Sequence, residues 1–258
     1  VPVNCAAFTE HLLESELYLR LSTNPGDLES IILAFKHPSI AIIDEVQRVP
    51  HLLNEVHRLI EKKGIKFLLT GSSARKLRRE GANMLAGRAW RADLFPLTSR
   101  EIPDFILEKA LRYGTLPPVW TSDSPEEDLD SYVSTYLKEE IQLESNIRKL
   151  PAFNRFLKVA ALQSGQLINF AGMSSDAAVA ETTLKSYFQI LQDTLLGFSL
   201  EPFIETKKRK AISTAKFYLF DNGVRHTILG TEVLDRNSDL WGTSFESFIG
   251  QEIRAYLS

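Results

Sequence analysis

Two adjacent carboxylates, Asp44 and Glu45, directly follow the apolar stretch Ile40–Ile43. A short and continuously apolar stretch is typical of a parallel strand that is buried on both faces of a sheet. An aspartate at the end of such a strand can help to hold Mg²⁺, and a glutamate beside it can orient a water molecule towards a γ-phosphate. The pattern predicts the Walker B arrangement of a nucleotide triphosphatase. The alternative is that Asp44 caps the next turn and that Glu45 is a solvated side chain.

A second predicted strand, Lys66–Thr70, ends in a hydroxyl-bearing residue, and Ser72 follows two residues later. A predicted helix separates it from the first strand, so that the two strands read as a parallel pair. Ligands of such sheets bind beyond the carboxyl ends of the strands. We therefore expect Thr70 or Ser72 beside Asp44 and Glu45, where a side chain can sense the γ-phosphate.

The phosphate-binding loop that accompanies this arrangement is absent from the sequence. Such a loop reads Gly-x-x-x-x-Gly-Lys-[Ser/Thr], and no Gly-Lys pair occurs among the 258 residues. The chain also starts at Val1 rather than at a methionine. We expect that the loop precedes Val1 in a longer protein. The alternative is a degenerate ATPase fold that never had one.

Arginines after the second strand are candidates for an arginine finger, which stabilises the charge of a transferring phosphoryl group, often from a neighbouring subunit. Arg88 is the best candidate because Gly87 before it permits close approach of the backbone. Arg75 is a weaker candidate, and Arg78 and Arg79 read as a solvated helix face. A finger that acts on a neighbour would require a homo-oligomer.

The composition is that of an ordinary globular protein, with 44% hydrophobic residues and a formal net charge of -3. This charge gives no overall attraction to nucleic acid or to a membrane. The single cysteine, Cys5, excludes an internal disulfide framework. No apolar run approaches the roughly 18 residues that span a bilayer. A cytoplasmic location and no membrane partner are expected.

The later part of the chain reads as helices followed by two short strands, which is the order of a winged helix. A predicted short strand at Asp93–Leu97 and a helix cap at Thr98–Glu101 come first, and the proline-rich and polar stretch 114–130 reads as a connecting loop. Asp221–Gly223 reads as a turn that closes the last strand. The helices are predicted at 129–144, 151–163 and 177–196, the strands at 196–202 and 216–220, and the wing at 205–210.

Two groups of residues could contact DNA. Lys185 lies on the polar face of the predicted helix 181–196, with Thr182, Ser186, Gln189 and Gln192, and such a face suits a recognition helix. The predicted wing carries four consecutive positive charges that could meet a phosphate backbone, namely Lys207, Lys208, Arg209 and Lys210. The alternative for both groups is an ordinary solvated surface.

The strand ends, the segments after them and the later helices and strands together resemble a family of prokaryotic AAA+-type ATPases. Members of this family carry a C-terminal domain of unknown function with a winged-helix-like part. The resemblance covers nearly the whole chain. In the first half it rests on Ile42–Pro50, Leu69–Leu77, Leu85–Ala89 and Pro96–Glu101. In the second half it rests on Ala160–Leu162, Gly165–Asn169, Thr183–Thr194 and Lys216–Gly223.

The resemblance implies binding of ATP and Mg²⁺ and hydrolysis of ATP, with Asp44 and Glu45 in the Walker B roles and Thr70 or Ser72 as sensor. Two parts of the family pattern are missing, namely the P-loop and a nuclease-like segment that Phe245 and Glu246 would introduce. The expected fold class is α/β, with a P-loop NTPase-like (AAA+) parallel sheet that lacks its P-loop segment, followed by a mostly helical domain with a winged helix. The expected domains are an ATPase core at 1–112, a helical and winged-helix domain at 113–240, and the start of a further module at 241–258.

The first hypothesis for function is an ATPase coupled to a winged helix that acts on double-stranded DNA. A second hypothesis is a DNA-binding regulator without enzymatic activity, in which the ATPase fold is a relic. A third is a nuclease that is gated by ATP and whose catalytic part lies beyond Ser258.

Overall fold

The computed structural model describes residues 10–35, 40–71, 89–90, 92–136, 150–202 and 215–258. The chain forms two compact units, residues 1–91 and residues 92–258. The fold is mixed α/β, with a small parallel sheet in the first unit and many helices in the second. The domain boundaries expected from the sequence, after residues 112 and 240, stay predictions.

The first unit alternates helices and strands, and the two strands among its described residues run parallel, as predicted. Ile40 of the first strand lies opposite Lys66 of the second, and Ile43 lies opposite Leu69. The elements in chain order are α1 (Glu10–Thr23), α2 (Asp27–Leu33), β1 (Ile40–Ile43), a 3₁₀ turn (Val46–Arg48), α3 (Leu52–Lys63) and β2 (Lys66–Leu69). The connection through α3 has the form of a β-α-β unit.

The core of the first unit lies between one face of this sheet and the apolar side of α3. Leu52, Val56 and Leu59 are buried at helical spacing, and they pack with the strand residues Ala41 and Phe67. The opposite face carries exposed apolar side chains in the part of the chain that the structure describes, with Ile40 58%, Ile42 69% and Leu68 54% exposed. The expectation of a strand buried on both faces is therefore met on one face only within the described residues.

Where the structure describes it, the second unit is mostly helical, with one two-stranded antiparallel sheet. Its helices are α4 (Leu107–Tyr113), α5 (Pro117–Trp120), α6 (Pro125–Ser131), α7 (Leu150–Leu162), α8 (Phe170–Ala177), α9 (Glu181–Asp193), α10 (Asn222–Leu229) and α11 (Asp239–Leu257), and a π-helical turn covers Tyr132–Tyr136. Its strands are β3 (Gly197–Leu200) and β4 (Lys216–Leu219).

Aromatic residues form the centre of the second unit. Phe153 and Phe156 of α7 pack against Tyr187 and Phe188 of α9, with ring centroids 4.9 to 5.3 Å apart. Phe217 of β4 joins them at 4.8 Å from Phe188. The contacts are tilted or edge-on, which is the arrangement that aromatic quadrupoles favour. This cluster holds α7, α9 and the hairpin together.

Several local predictions for the second unit are wrong. Residues 93–95 and 97 are not in a strand, because Pro96 has no N–H to donate to a ladder. The carboxylate of Glu101 does accept hydrogen bonds from the N–H and the hydroxyl of Thr98, both at 2.8 Å. That contact closes a turn and starts no helix, since Pro103 disfavours the helical conformation at the residue before it.

The stretch 114–130, expected to be a connecting loop, contains α5 and α6. Both helices begin with proline at the first turn, Pro117 and Pro125, where the missing N–H costs nothing. Asp221 closes no turn; its side chain accepts from the N–H of Val224 at 3.0 Å and caps α10. The same residue types favour turns and helix starts, and their spacing alone does not distinguish the two.

Candidate functional site

The carboxyl ends of β1 and β2 meet at one edge of the parallel sheet. Thr70 donates its N–H to the carbonyl of Ile43 at 3.0 Å, and Val46 donates its N–H to the carbonyl of Thr70 at 3.0 Å. These bonds extend the pairing of the strands past their last residues. They bring Asp44, Glu45 and Thr70 together, as expected from the order of strands and helices.

The hydroxyl of Thr70 contacts both acidic residues. It donates to the carboxylate oxygen Oδ1 of Asp44, and it accepts from the backbone N–H of Glu45 at 3.3 Å. One hydroxyl group therefore orients the Asp44 side chain and the Glu45 backbone at the same time. Ser72, the other sensor candidate, lies outside the described residues.

Glu45 has a left-handed backbone conformation, with φ 49° and ψ 43°. This conformation costs a non-glycine residue roughly 1–2 kcal/mol. It ends the strand abruptly and starts the 3₁₀ turn Val46–Arg48. A non-glycine residue that keeps such a conformation must be held by its surroundings, and residues of this kind cluster at functional sites.

Tyr18 of α1 holds the other end of the Asp44–Glu45 peptide. Its hydroxyl donates to the carbonyl oxygen of Asp44 at 2.8 Å. The guanidinium of Arg48 lies 5.2 Å from the centre of the Tyr18 ring, which is within cation–π distance. Sequence reasoning did not find Tyr18, because nothing in the spacing of a tyrosine 26 residues before Asp44 indicates this contact.

A cavity of about 520 Å³ lies beside β1, and Asp44 is one of the residues that line it. Apolar side chains of α1, α2 and β1 form almost all of its wall, among them Leu21, Ile32 and Ile42. A wall of this kind suits an apolar or aromatic group rather than phosphate oxygens. Asp44 is the acidic residue at its border.

The acidic residues at the sheet edge fit Mg²⁺ better than a metal that needs many protein ligands. No group of three or more His, Cys, Asp or Glu side chains that could hold a metal exists among the described residues. Mg²⁺ is commonly held by one or two carboxylates, with water and phosphate oxygens completing its shell. Asp44 would supply the carboxylate, and Thr70 already orients it.

Lys185 and the amides near it lie on α9, but their side chains are engaged within the unit. The Lys185 ammonium lies 5.3 Å from the centre of the Phe170 ring. Gln189 donates to Asp193 at 2.9 Å, and Gln192 donates to Ser199 at 3.2 Å. The remaining candidates lie outside the described residues, namely the fingers Arg75 and Arg88 and the wing residues Lys207, Lys208, Arg209 and Lys210.

A buried carboxylate in the second unit was missed by sequence reasoning. Asp221 is 1% exposed, and besides capping α10 it accepts from the N–H of Thr115 at 2.8 Å. A side chain on Gly114 would clash with this carboxylate, since an added Cβ would lie 2.0 Å from Oδ1. Burial raises the pKa of Asp221 to about 6, although the N–H donors around it oppose the shift. Asp221 thus fastens the turn after α4 to the start of α10.

Two basic residues are buried next to it on α10. Arg225 donates to the carbonyl of Ala161 at 2.9 Å and to the hydroxyl of Thr243 at 3.2 Å. Burial lowers the pKa of Arg225 to about 10. Burial and then the charges of Arg225 and Arg112 lower the pKa of His226 to about 4. At neutral pH His226 is therefore an uncharged hydrogen-bond partner for Ser244, 3.1 Å away.

Two family models match consecutive parts of the chain. A model described as an AAA domain matches residues 6–103, which include Asp44, Glu45 and Thr70. A model described as a domain of unknown function (DUF8612) matches residues 105–235. No solved structure matches the chain.

Uncharacterised proteins from bacteria and an archaeon are similar to the chain over most of its length. One from Mycobacterium tuberculosis is 30% identical over 226 residues, which are 84% of this chain and 51% of the relative. One from Haemophilus influenzae is 23% identical over 73% of this chain and 52% of the relative. One from Methanocaldococcus jannaschii is 24% identical over 76% of this chain and 50% of the relative. The chain spans about half the length of these curated relatives.

Among the residues that the structure describes, no helix has the length and apolar character needed to cross a membrane.

Proposed function

The chain belongs to the family of the domain of unknown function DUF8612, and we propose that the AAA domain before it binds and hydrolyses ATP. The observation that carries this proposal is the meeting of Asp44, Glu45 and Thr70 at the carboxyl edge of a parallel sheet. An AAA domain suggests a nucleotide-binding, ATPase-like fold, and these residues have the chemistry of its hydrolytic edge.

Each of the three residues has a separate task in this proposal. Asp44 holds Mg²⁺, whose charge offsets the negative charge of the phosphates. Glu45 orients the attacking water, and its left-handed backbone sets the position of its carboxylate. Thr70 keeps the Asp44 carboxylate in place and senses the γ-phosphate. Ser72 is the alternative sensor, and Arg88 is the proposed finger, which would act on a second copy of the chain.

The test is steady-state ATP hydrolysis by the complete gene product and by its Glu45→Gln variant. We expect the variant to lose turnover by a factor of about 10² or more, because the water is no longer oriented by a carboxylate. Binding of an ATP analogue should be kept, since Glu45 acts on water rather than on the nucleotide. Equal turnover in both proteins would exclude Glu45 from the mechanism.

A second candidate function is binding of double-stranded DNA by a winged helix in the second unit. The order of elements supports it: α7, a single antiparallel bridge from Leu167 to Lys216, α8, α9, and then the hairpin of β3 and β4. In such a domain α9 would be the recognition helix and the segment between the strands the wing. Lys185, Lys207, Lys208, Arg209 and Lys210 would supply the contacts to phosphate.

Duplex binding at several salt concentrations tests this second function. Binding through phosphate contacts weakens steeply as the salt concentration rises. Replacing residues 207–210 by glutamine should make the affinity for duplex DNA depend less steeply on salt concentration. Binding that ignores ATP would favour a regulator without enzymatic activity. Stimulation of ATP turnover by DNA would instead show that the two functions are coupled.

A cytoplasmic location of the protein remains a proposal.

A further inference from the structure

The peptide bond between Asp44 and Glu45 is held at both ends by residues from different parts of the first unit. Its carbonyl oxygen accepts from the hydroxyl of Tyr18 at 2.8 Å. Its N–H donates to the hydroxyl of Thr70 at 3.3 Å. A peptide group is planar, so fixing both ends fixes the orientation of the plane.

The orientation of this plane determines the conformation of Glu45. Rotation of the peptide changes φ of the following residue, and Glu45 has the unfavourable φ of 49°. If either hydrogen bond is lost, the plane is free to turn, and Glu45 can relax towards an ordinary φ. The carboxylate proposed to orient water would then move with the backbone that carries it.

We infer that Tyr18 is a positioning residue for the hydrolytic edge, which acts through the Asp44 carbonyl and keeps Glu45 in its left-handed conformation. This inference rests on the proposed ATPase function for its effect on turnover. Its structural part, the control of the Glu45 backbone, does not depend on that function.

The hydroxyl of Tyr18 can be removed without disturbing the contacts of its ring. The ring packs against the core of the first unit and lies next to the Arg48 guanidinium. The substitution Tyr18→Phe keeps both of these ring contacts and removes the hydroxyl that bonds the Asp44 carbonyl. The fold of the unit should therefore survive the substitution.

A matched control removes a hydroxyl from the same helix without touching the site. Thr23 bonds the carbonyl of Leu19, one turn back along α1, at 2.9 Å. The substitution Thr23→Val deletes this hydroxyl and keeps the shape of the side chain. An effect that both variants show would come from a general change in α1. An effect of Tyr18→Phe alone would come from the loss of the hydrogen bond to the Asp44 carbonyl.

The first measurement is made by NMR on the chain itself, without nucleotide. The one-bond Cα–Hα coupling of Glu45 reports the sign of φ, and hydrogen exchange of its amide reports the bond to Thr70. We expect a positive φ and a protected amide in the wild type and in Thr23→Val. In Tyr18→Phe the Cα–Hα coupling of Glu45 should shift towards the value for negative φ. The amide of Glu45 should exchange about five-fold faster, which corresponds to the loss of one hydrogen bond. An unchanged coupling and exchange rate in Tyr18→Phe would overturn the inference.

The second measurement is ATP turnover by the complete gene product. We expect Tyr18→Phe to lower kcat about five-fold and to leave KM for ATP unchanged, because a displaced Glu45 weakens the chemical step and not the binding of nucleotide. Thr23→Val should match the wild type. A rise in KM with unchanged kcat, or wild-type kinetics in Tyr18→Phe, would overturn the role in hydrolysis.

The two measurements separate the inference from the proposed function. A wild type that hydrolyses no ATP would refute the proposed function, and the NMR result would still decide whether Tyr18 holds Glu45. A wild type that is active, with Tyr18→Phe unchanged in both measurements, would refute the inference alone.

Discussion

The hydroxyl of Thr70 donates to the carboxylate of Asp44 across the ends of two parallel strands, although 26 residues separate them in the chain. The same hydroxyl accepts from the Glu45 N–H. One side chain directly after the neighbouring strand therefore orients both acidic residues. The arrangement of these three residues depends on the pairing of the strands and not on the Asp44–Glu45 dipeptide alone.

Replacing Thr70 by valine should impair ATP turnover more than replacing it by serine. Valine keeps the branched shape but has no hydroxyl, so the Asp44 carboxylate and the Glu45 N–H both lose a partner. A hydrogen bond to a charged group contributes about 1.5–3 kcal/mol, so we expect a fall of at least about ten-fold in kcat/KM for Thr70→Val. Thr70→Ser keeps the hydroxyl and serves as the control. Steady-state kinetics of the complete gene product would show the difference, and equal rates for the two variants would refute the role of the hydroxyl.

Replacing Glu45 by glycine should make the first unit more stable than replacing it by alanine. Both substitutions remove the carboxylate, but glycine adopts a φ of 49° without strain and alanine does not. We expect the free energy of unfolding of the first unit to be about 1 kcal/mol higher for Glu45→Gly than for Glu45→Ala. Hydrogen exchange of the amides of β1 and α3 measures this free energy. Neither variant should turn over ATP. Equal protection in the two variants would mean that the left-handed conformation carries no strain.

Asp221 should make the second unit less stable as pH rises. Its pKa is about 6 in the folded protein and is ordinarily 3.8, so the folded state holds the proton more tightly than the unfolded state. The contribution of Asp221 to the free energy of unfolding should therefore fall between pH 4 and pH 6, by about 3 kcal/mol in total. Asp221→Asn removes this titration. Urea unfolding followed by tryptophan fluorescence should show that the variant gains stability relative to the wild type as pH rises over this range, and parallel curves for the two proteins would contradict the prediction.

His226 should give the opposite pH dependence. Its pKa is about 4 in the folded protein and is ordinarily 6.5, so the unfolded state takes up the proton first as pH falls. Its contribution to stability is present above about pH 6.5 and is lost progressively down to about pH 4, again about 3 kcal/mol in total. Between pH 4 and pH 6 this loss offsets the gain from Asp221. Asp221→Asn should expose the acid sensitivity due to His226, and adding His226→Gln should remove it. An acid-sensitive double variant would assign that sensitivity to other groups.

Short-range patterns in the sequence predicted the two strands that the structure describes in the first unit. The apolar stretch before Asp44 and the one before Thr70 form the two strands, and they are parallel because a helix connects them, as the α/β pattern predicts. The match of an AAA domain to residues 6–103 agrees with the nucleotide-binding reading of these residues. The strands themselves are visible in the sequence because a short apolar run depends on residues that are close along the chain.

Predictions failed where one local signal has two meanings. Pro117 and Pro125 lie in the stretch predicted to be a connecting loop, but they begin helices, because proline at the first helical turn gives up no hydrogen bond. Asp221 lies in a predicted turn, but it caps α10. In both cases the residues that follow pack into the core of the second unit, and that packing selects the helix over the turn.

The sequence by itself determined where the candidate residues lie: a carboxylate pair after one strand and a hydroxyl after the next, within a chain of mixed α/β type. Only the tertiary structure decided how these residues are held, through Tyr18 on the Asp44 carbonyl, Thr70 on the Asp44 carboxylate and the Glu45 N–H, and the left-handed backbone of Glu45. Apolar period and residue type follow from neighbours along the chain and are visible in the sequence. Hydrogen bonds between residues that are 25 or 26 positions apart exist only after the strands have paired and α1 has packed, and no local pattern encodes them.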